Sequence, residues 1–146
     1  MEERFKLVSA VHVLLIREGR LLLLRRYNTG YEDGKYSVIA GHLDGNETVA
    51  AAAVREAREE AGIELDPGQV RVAAVMHRKS TDERIDWFVV ASQWAGKVRI
   101  REPEKCDEMS WFTLNDLPDS VIPYVRRAIG NILHGQWYDS YGWDDA

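Results

Sequence analysis

With 146 residues, 45% of them hydrophobic and 10% aromatic, the chain holds enough apolar material for one core and predicts a single domain over residues 1–146. A net charge of -5 and a pI near 5.4 argue against clamping long nucleic acid, which relies on basic stripes, and leave small anionic ligands open. The lone cysteine, Cys106, excludes an internal disulfide. No apolar run approaches the ~20 residues of a membrane helix, and MEERFKLVSA at the start has no long apolar stretch, so a cytoplasmic protein without a membrane partner is expected.

Two apolar runs, Leu7 to Ile16 and Leu21 to Arg26, flank a turn at Glu18-Gly19 and predict a hairpin. His12 lies inside the first run with no second histidine nearby, which favours a structural or substrate-contacting role over metal ligation. A polar loop from Tyr27 to Lys35 leads to a short strand, Lys35 to Ile39, that delivers the chain to a glycine-bearing loop, Gly41 to Gly45. A helix is predicted from about Glu47 to Ala61. Pro67-Gly68 marks a turn, followed by strands near Gln69 to Arg78 and Arg84 to Gln93. Ala95-Gly96-Lys97 turns the chain into a short strand at Val98 to Ile100. A further strand is expected at Ser110 to Thr113, then an amphipathic helix from Ser120 to His134 interrupted early by Pro123. Strands interleaved with two helices, without regular βαβ alternation, favour an α/β sandwich over a Rossmann sheet.

The first helix carries the chemistry. A turn of roughly 100° per residue puts Glu56, Glu59 and Glu60 on one edge, and three carboxylates that close repel one another. A hard cation with oxygen ligands offsets that repulsion, Mg²⁺ taking one or two carboxylates plus waters and substrate phosphates. Ala50, Ala53, Val54, Ala57 and Ala61 form a stripe of mostly small side chains that lets the helix backbone lie close to a sheet. The acids border that stripe, at the boundary of core and solvent. Arg55 is placed to hold a neighbouring carboxylate or carbonyl, and Gly62 ends the helix.

The segment GHLDGNETVAAAAVREAREEAGI fills the pattern G-x5-E-x7-R-E-U-x-E-E-x-G-U, U being aliphatic, at Gly41, Glu47, Arg55, Glu56, Ala57, Glu59, Glu60, Gly62 and Ile63. This is the Nudix box, and the chain resembles the Nudix hydrolases in their small, MutT-like form over nearly its full length. The resemblance implies an α/β/α sandwich around a mixed sheet. It also implies metal-dependent hydrolysis of a nucleoside diphosphate linked to another moiety, with Mg²⁺ as cofactor and Mn²⁺ as the alternative. Carried over, the metal set is the Gly41 carbonyl with Glu56, Glu59 and Glu60. Glu56 is the provisional base, oriented by Arg55, and Glu47 supports the loop or a metal-bound water. A further acid is expected from Arg101 to Glu108, which contains an EPEKC string similar to one in several nucleotide hydrolases of the family; Glu104 is the first choice and Glu102 the second.

The chain departs from a common form of the family in having Tyr36 for a Trp, Ala40 for a Pro and His42 for a Gly just ahead of and inside the box. That bears on the shape of the loop beside the leaving group. Tyr36, His42, Trp87 and Phe88 are the candidate substrate contacts, with Trp87 and Phe88 on opposite faces of their strand so that only one faces the site. A nucleoside triphosphate, oxidised forms included, is the favoured substrate, because the box begins after only two or three strands, without the extra N-terminal region common in ADP-ribose hydrolases. An ADP-ribose or nucleotide-sugar pyrophosphatase and a non-catalytic nucleotide sensor are the alternatives. An isomerase on the same fold needs a cysteine before the box, and Cys106 follows it. The aromatic tail, Trp137, Tyr138, Tyr141 and Trp143, leaves three roles open: covering the sheet, closing the pocket, or a homodimer contact.

Overall fold

Strand β1 (Val8–Arg17) has apolar residues on both faces, which is what a strand covered on both sides requires. Val11, Val13 and Leu15 point into one core, and Leu14 points into a second on the opposite face. The computed structural model describes residues 2–144; Met1, Asp145 and Ala146 of the predicted domain lie outside the described residues.

The remaining elements are β2 (Arg20–Arg26), β3 (Tyr36–Ser37), β4 (Ile39–His42), α1 (Val49–Ala61), a 3₁₀ turn (Pro67–Gln69), β5 (Arg71–Lys79), β6 (Glu83–Ala91), β7 (Cys106–Thr113), α2 (Pro123–Leu133) and β8 (Tyr138–Tyr141). The sheet runs β3-β2-β1-β6-β5-β8, with β4 paired to β1 and β7 to β2. It is mixed: β1 and β6 are parallel, β5 and β8 are parallel, and the other pairs are antiparallel. Helix α1 covers the core built on Val11, Val13, Leu15 and Val89, while α2 covers the one built on Leu14, Met76 and Phe88. The result is the α/β/α sandwich that the sequence predicts.

One edge of β1 pairs with β6 from Val8↔Arg84 to Leu15↔Ala91. The other edge is divided, β4 taking Ala10 to Val13 and β2 only Ile16 and Arg17. After the Glu18-Gly19 turn, both of whose residues have positive φ (56° and 74°), β2 leaves β1 and runs against β7 and β3. A cleft opens where β2 and β4 diverge.

Helix α1 begins at Val49, two residues later than predicted. Thr48 is its N-cap, its side chain accepting from the Ala51 N–H at 3.0 Å, and Gly62 closes it in the left-handed region at φ 68°. Ala52, Ala53, Ala57 and Ala61 are buried, whereas Ala50 and Val54 of the predicted stripe are only half-buried. Pro123 starts α2 rather than interrupting it, since proline at the first helical position loses no intrahelical hydrogen bond.

Three other expectations change. The predicted strand Lys35 to Ile39 is two short strands, β3 and β4. The segment Val98 to Ile100 forms no strand, because its backbone serves the end of α1: the Arg99 N–H donates to the Ala61 carbonyl at 3.0 Å and the Arg101 N–H to that of Glu60 at 3.4 Å. The aromatic tail becomes β8, pairing with β5 from Val75↔Tyr138 to Arg78↔Tyr141, and the Trp143 indole donates to the His77 carbonyl. It therefore covers the sheet edge. Among the described residues no helix is long and apolar enough to cross a membrane.

His12 is structural. Its Nε2 lies 3.0 Å from Asp86 Oδ1, its ring stacks on Phe88 at 4.5 Å, and Arg78 Nε donates to Asp86 Oδ2 at 2.7 Å. Asp86, His12 and Arg78 are all buried, at 0%, 2% and 6% exposure, so this ionic group sits inside the α2-side core. Its carboxylate is compensated from both oxygens.

Candidate active site

Arg55 is the organiser of the loop that precedes α1. Its Nε and Nη2 donate to Glu47 at 3.1 and 2.8 Å, Nη2 also reaches the His42 carbonyl at 3.1 Å, and Nη1 donates to Glu56 Oε1 at 2.6 Å. Glu47 in turn accepts the Asp44 N–H at 2.8 Å. One guanidinium thus ties residues 42–47 to the helix and fixes one oxygen of Glu56. The same hydrogen bond from Arg55, with the Asp44 N–H, holds the Glu47 carboxyl below the usual range.

Glu56 is buried at 7% exposure and sits against Gly41, where a methyl group would fall on its carboxylate. The glycine in β4 is therefore a matter of space, not of backbone conformation. Glu60 lies beside Glu56. Its carboxyl is pushed well above the usual range by burial first, then by the hydrogen bond and charge of Glu56 and by Glu102, while the Ala40 backbone pulls the other way. Glu59 is half-exposed at the rim, with Oε2 3.5 Å from Arg55 Nη1.

These acids share a cavity of about 530 Å³. Glu56, Glu59, Glu60 and Glu102 line it with Gly41, as do Arg25, Arg26, Asn28, Thr29, Lys105 and Cys106. The all-oxygen donors and the like charges packed around Glu60 suit a hard divalent cation. Among the described residues no three His, Cys, Asp or Glu side chains converge closely enough to hold a metal by themselves.

Several predicted site residues stand elsewhere. Glu104 is exposed and does not line the cavity; Glu102 does, because Lys105 and Cys106 both donate their N–H to the Glu102 carbonyl (2.9 and 3.0 Å) in a turn that carries Glu102 inward. Phe88 is fully buried on the α2 side. Trp87 faces the other way, but its indole donates to Ser9 Oγ at 2.9 Å and it does not line the cavity either. The Tyr36 hydroxyl donates to Glu108 Oε2 at 2.8 Å, next to cavity-lining Ser37 and Val38. His42 is exposed and contributes its carbonyl to Arg55. Sequence reasoning missed Arg25, Arg26, Asn28, Thr29 and Lys105. The polar Tyr27 to Lys35 loop, entered from two arginines, was the available signal.

A second, smaller hollow of about 230 Å³ lies at Tyr31, Arg78, Ser80, Thr81, Arg84 and Tyr124. The Arg78 guanidinium sits 3.6 Å over the Tyr124 ring.

Layers and cleft together define an α/β/α domain with an acid-walled, oxygen-rich pocket. The chain belongs to the NUDIX domain family, whose profile matches residues 6–133. It is similar to the NAD-capped RNA hydrolase NudC of Stutzerimonas stutzeri, 27% identical over 131 residues that cover 90% of this chain and 45% of that protein. The NudC of Chromobacterium violaceum is 29% identical over 80% of this chain and 42% of its own length. The chain thus spans less than half the length of these curated relatives. Among solved structures, a MutT NUDIX hydrolase from Burkholderia pseudomallei aligns with a TM-score of 0.79 and 26% identity, covering 86% of this chain and 98% of that one. A bifunctional NMN adenylyltransferase/ADP-ribose pyrophosphatase from Francisella tularensis, complexed with AMP and Mn, shares the fold at a TM-score of 0.71 and 20% identity, over 88% of this chain and 42% of that one.

Proposed function

We propose that this chain hydrolyses the pyrophosphate linkage of a nucleoside diphosphate bonded to a further moiety, using Mg²⁺ or Mn²⁺. The observation that carries this reading is the crowding of Glu56 against Gly41 and Glu60, in a cavity that Glu59, Glu102 and several cationic residues also line. Glu56, Glu60 and the Gly41 carbonyl would hold the ion, with Glu59 and Glu102 at its margin. When bound, the ion stabilises negative charge on the phosphate oxygens. Arg55 holds one oxygen of Glu56, and Glu56 is the acceptor we assign for a proton from the attacking water. Glu47 acts through Arg55 as a positioning residue.

A nucleoside triphosphate, cleaved to the monophosphate and pyrophosphate, is the first reading of the substrate. A dinucleotide of the NAD type is the second, favoured by the NAD-capped RNA hydrolases among the relatives. The net charge of -5 supports a small nucleotide rather than long nucleic acid in either case. The test is product analysis with a panel of canonical and oxidised nucleoside triphosphates, NAD, ADP-ribose and nucleotide sugars, with Mg²⁺ and with chelator. Metal-dependent release of a nucleoside monophosphate supports the reading. Tight nucleotide binding without turnover replaces it with a sensor.

A further inference from the structure

The loop between β2 and β3 follows a path that its backbone would not choose unaided. Arg26 shuts its base, its N–H donating to the Lys35 carbonyl at 2.9 Å and its carbonyl accepting the Gly34 N–H at 2.8 Å. Inside, Asn28, Gly30, Glu32 and Gly34 all have positive φ, at 52°, 83°, 52° and 84°. Glycine is at ease there and asparagine tolerates it, but glutamate does not, so other contacts must impose the path. Asp33 supplies them. Its Oδ1 accepts the Thr29 hydroxyl at 2.6 Å and the Thr29 N–H at 3.0 Å, and its Oδ2 accepts the Gly30 N–H at 3.0 Å.

Thr29 passes that order on to the cavity. Its Oγ also lies 3.0 Å from the Tyr31 carbonyl, but its one proton goes to the shorter contact with the charged Asp33 oxygen. Oγ is then left to accept, from Arg26 Nη2 at 3.0 Å and from the Tyr31 N–H at 3.2 Å. Arg26 Nε donates to the Tyr31 carbonyl at 2.7 Å, so two of its three guanidinium nitrogens are fixed by neutral oxygens of the loop. Arg26 and Thr29 line the cavity that holds Glu56 and Glu60, and Asp33, exposed on the outside of the loop, does not. We propose that Asp33 is a positioning residue: acting through Thr29, it holds the Arg26 guanidinium at the cavity wall, ready for the phosphate groups of the substrate. This rests on the hydrolase reading above. A guanidinium fixed beforehand loses less freedom when an anion binds, so the gain falls on affinity. The carboxylates of the site come from α1 and the Glu102 turn, which Asp33 does not touch, so turnover of bound substrate is left alone.

The experiment compares wild type, Asp33→Ala, Asp33→Asn, Arg26→Ala and the Asp33→Ala/Arg26→Ala double variant, with Glu32→Gln as a control in the same loop. The probe is inorganic pyrophosphate in Mg²⁺, its Kd read by calorimetry, and kcat and KM are measured on a nucleoside triphosphate. Asp33→Ala is expected to weaken pyrophosphate binding and raise KM by about five- to tenfold, with kcat within about twofold of wild type. Asp33→Asn, which keeps an acceptor for Thr29, should recover part of the loss, and Arg26→Ala should lose at least as much as Asp33→Ala. Once Arg26 is alanine, Asp33→Ala should add less than about twofold, because its effect has no other route to the cavity. An equal loss in both backgrounds would make Asp33 a residue of the fold alone and overturn the proposal. So would unchanged pyrophosphate binding in Asp33→Ala or Arg26→Ala, or a wild type that binds no pyrophosphate. If the wild type binds pyrophosphate and hydrolyses nothing, the hydrolase reading fails, while the binding comparison still decides Asp33.

Discussion

Gly41 and Glu56 fit against each other so closely that any side chain at Gly41 would displace the Glu56 carboxylate. The atoms in the way belong to the far end of a flexible side chain, so the strand can accept an added methyl by letting Glu56 swing. Gly41→Ala should therefore leave thermal stability nearly unchanged and lower kcat by roughly 10- to 100-fold, the range expected for a catalytic group misplaced by about 1 Å. Circular dichroism melting alongside steady-state kinetics checks both halves. A large loss of stability would mean that Gly41 serves the fold instead.

Metal binding should read out in stability. A cation held at about 100 times its dissociation constant adds about 2.7 kcal/mol, or roughly 5–10 °C in Tm for a chain of this size. Glu60→Gln relieves the repulsion among Glu60, Glu56 and Glu102, so its metal-free Tm should equal or exceed that of wild type, while its Mg²⁺-induced rise should largely disappear. Calorimetric scans with Mg²⁺ and with chelator make the comparison. A full metal-induced rise in the variant would remove Glu60 from the metal set.

Gly62 holds the left-handed cap at φ 68°, and a Cβ there would lie 3.0 Å from the Arg99 guanidinium carbon. Gly62→Ala is expected to cost about 1 kcal/mol or more, lowering Tm by roughly 2–4 °C per kcal/mol. Because the Arg99 and Arg101 amides cap the carbonyls of Ala61 and Glu60, the same change should loosen the segment that carries Glu102. Urea unfolding measures the first effect, and hydrogen exchange at residues 97–102 measures the second.

The buried Asp86 makes stability depend on acid. Burial acts to raise its carboxyl, but the His12 hydrogen bond and charge and the Arg78 hydrogen bond outweigh it, so it stays below the usual range. A carboxyl with a depressed folded-state value stabilises the fold fully above its unfolded value of about 3.9, and that stabilisation is lost as pH falls through the folded value. Wild type should accordingly lose stability below about pH 4, and Asp86→Ala should lack this component while losing about 3–5 kcal/mol at neutral pH. Chemical denaturation across pH 2.5 to 7, about the range that brackets these values, tests it.

Much of this is legible in the sequence. The period of α1 placed Glu56, Glu59 and Glu60 together because 3.6 residues per turn leaves no other arrangement, and the hairpin followed from two apolar runs around Glu18-Gly19. What the sequence did not carry were long-range choices. Glu102 and Glu104 sit two apart in one charged string, and only the turn closed onto the Glu102 carbonyl decides which enters the cavity. Residues 98–100 look like a strand locally, but the open carbonyls at the end of α1 claim their amides. Trp87 and Phe88 were correctly put on opposite faces. Their distance from the cavity depends instead on where β2 and β4 part, which alternation along β6 does not report.

The proposed activity is hydrolysis of a pyrophosphate bond with a divalent cation at the cavity lined by Gly41, Glu56, Glu59, Glu60 and Glu102. Its most direct test is nucleoside monophosphate release from a triphosphate and from NAD, with Mg²⁺ and with chelator, by wild type, Glu59→Gln and Glu60→Gln. Metal-dependent release by wild type, reduced at least ~100-fold in a folded Glu60→Gln or Glu59→Gln variant, is the predicted result. Full Mg²⁺-dependent activity in both variants, or nucleotide binding by wild type with no turnover at all, would contradict it.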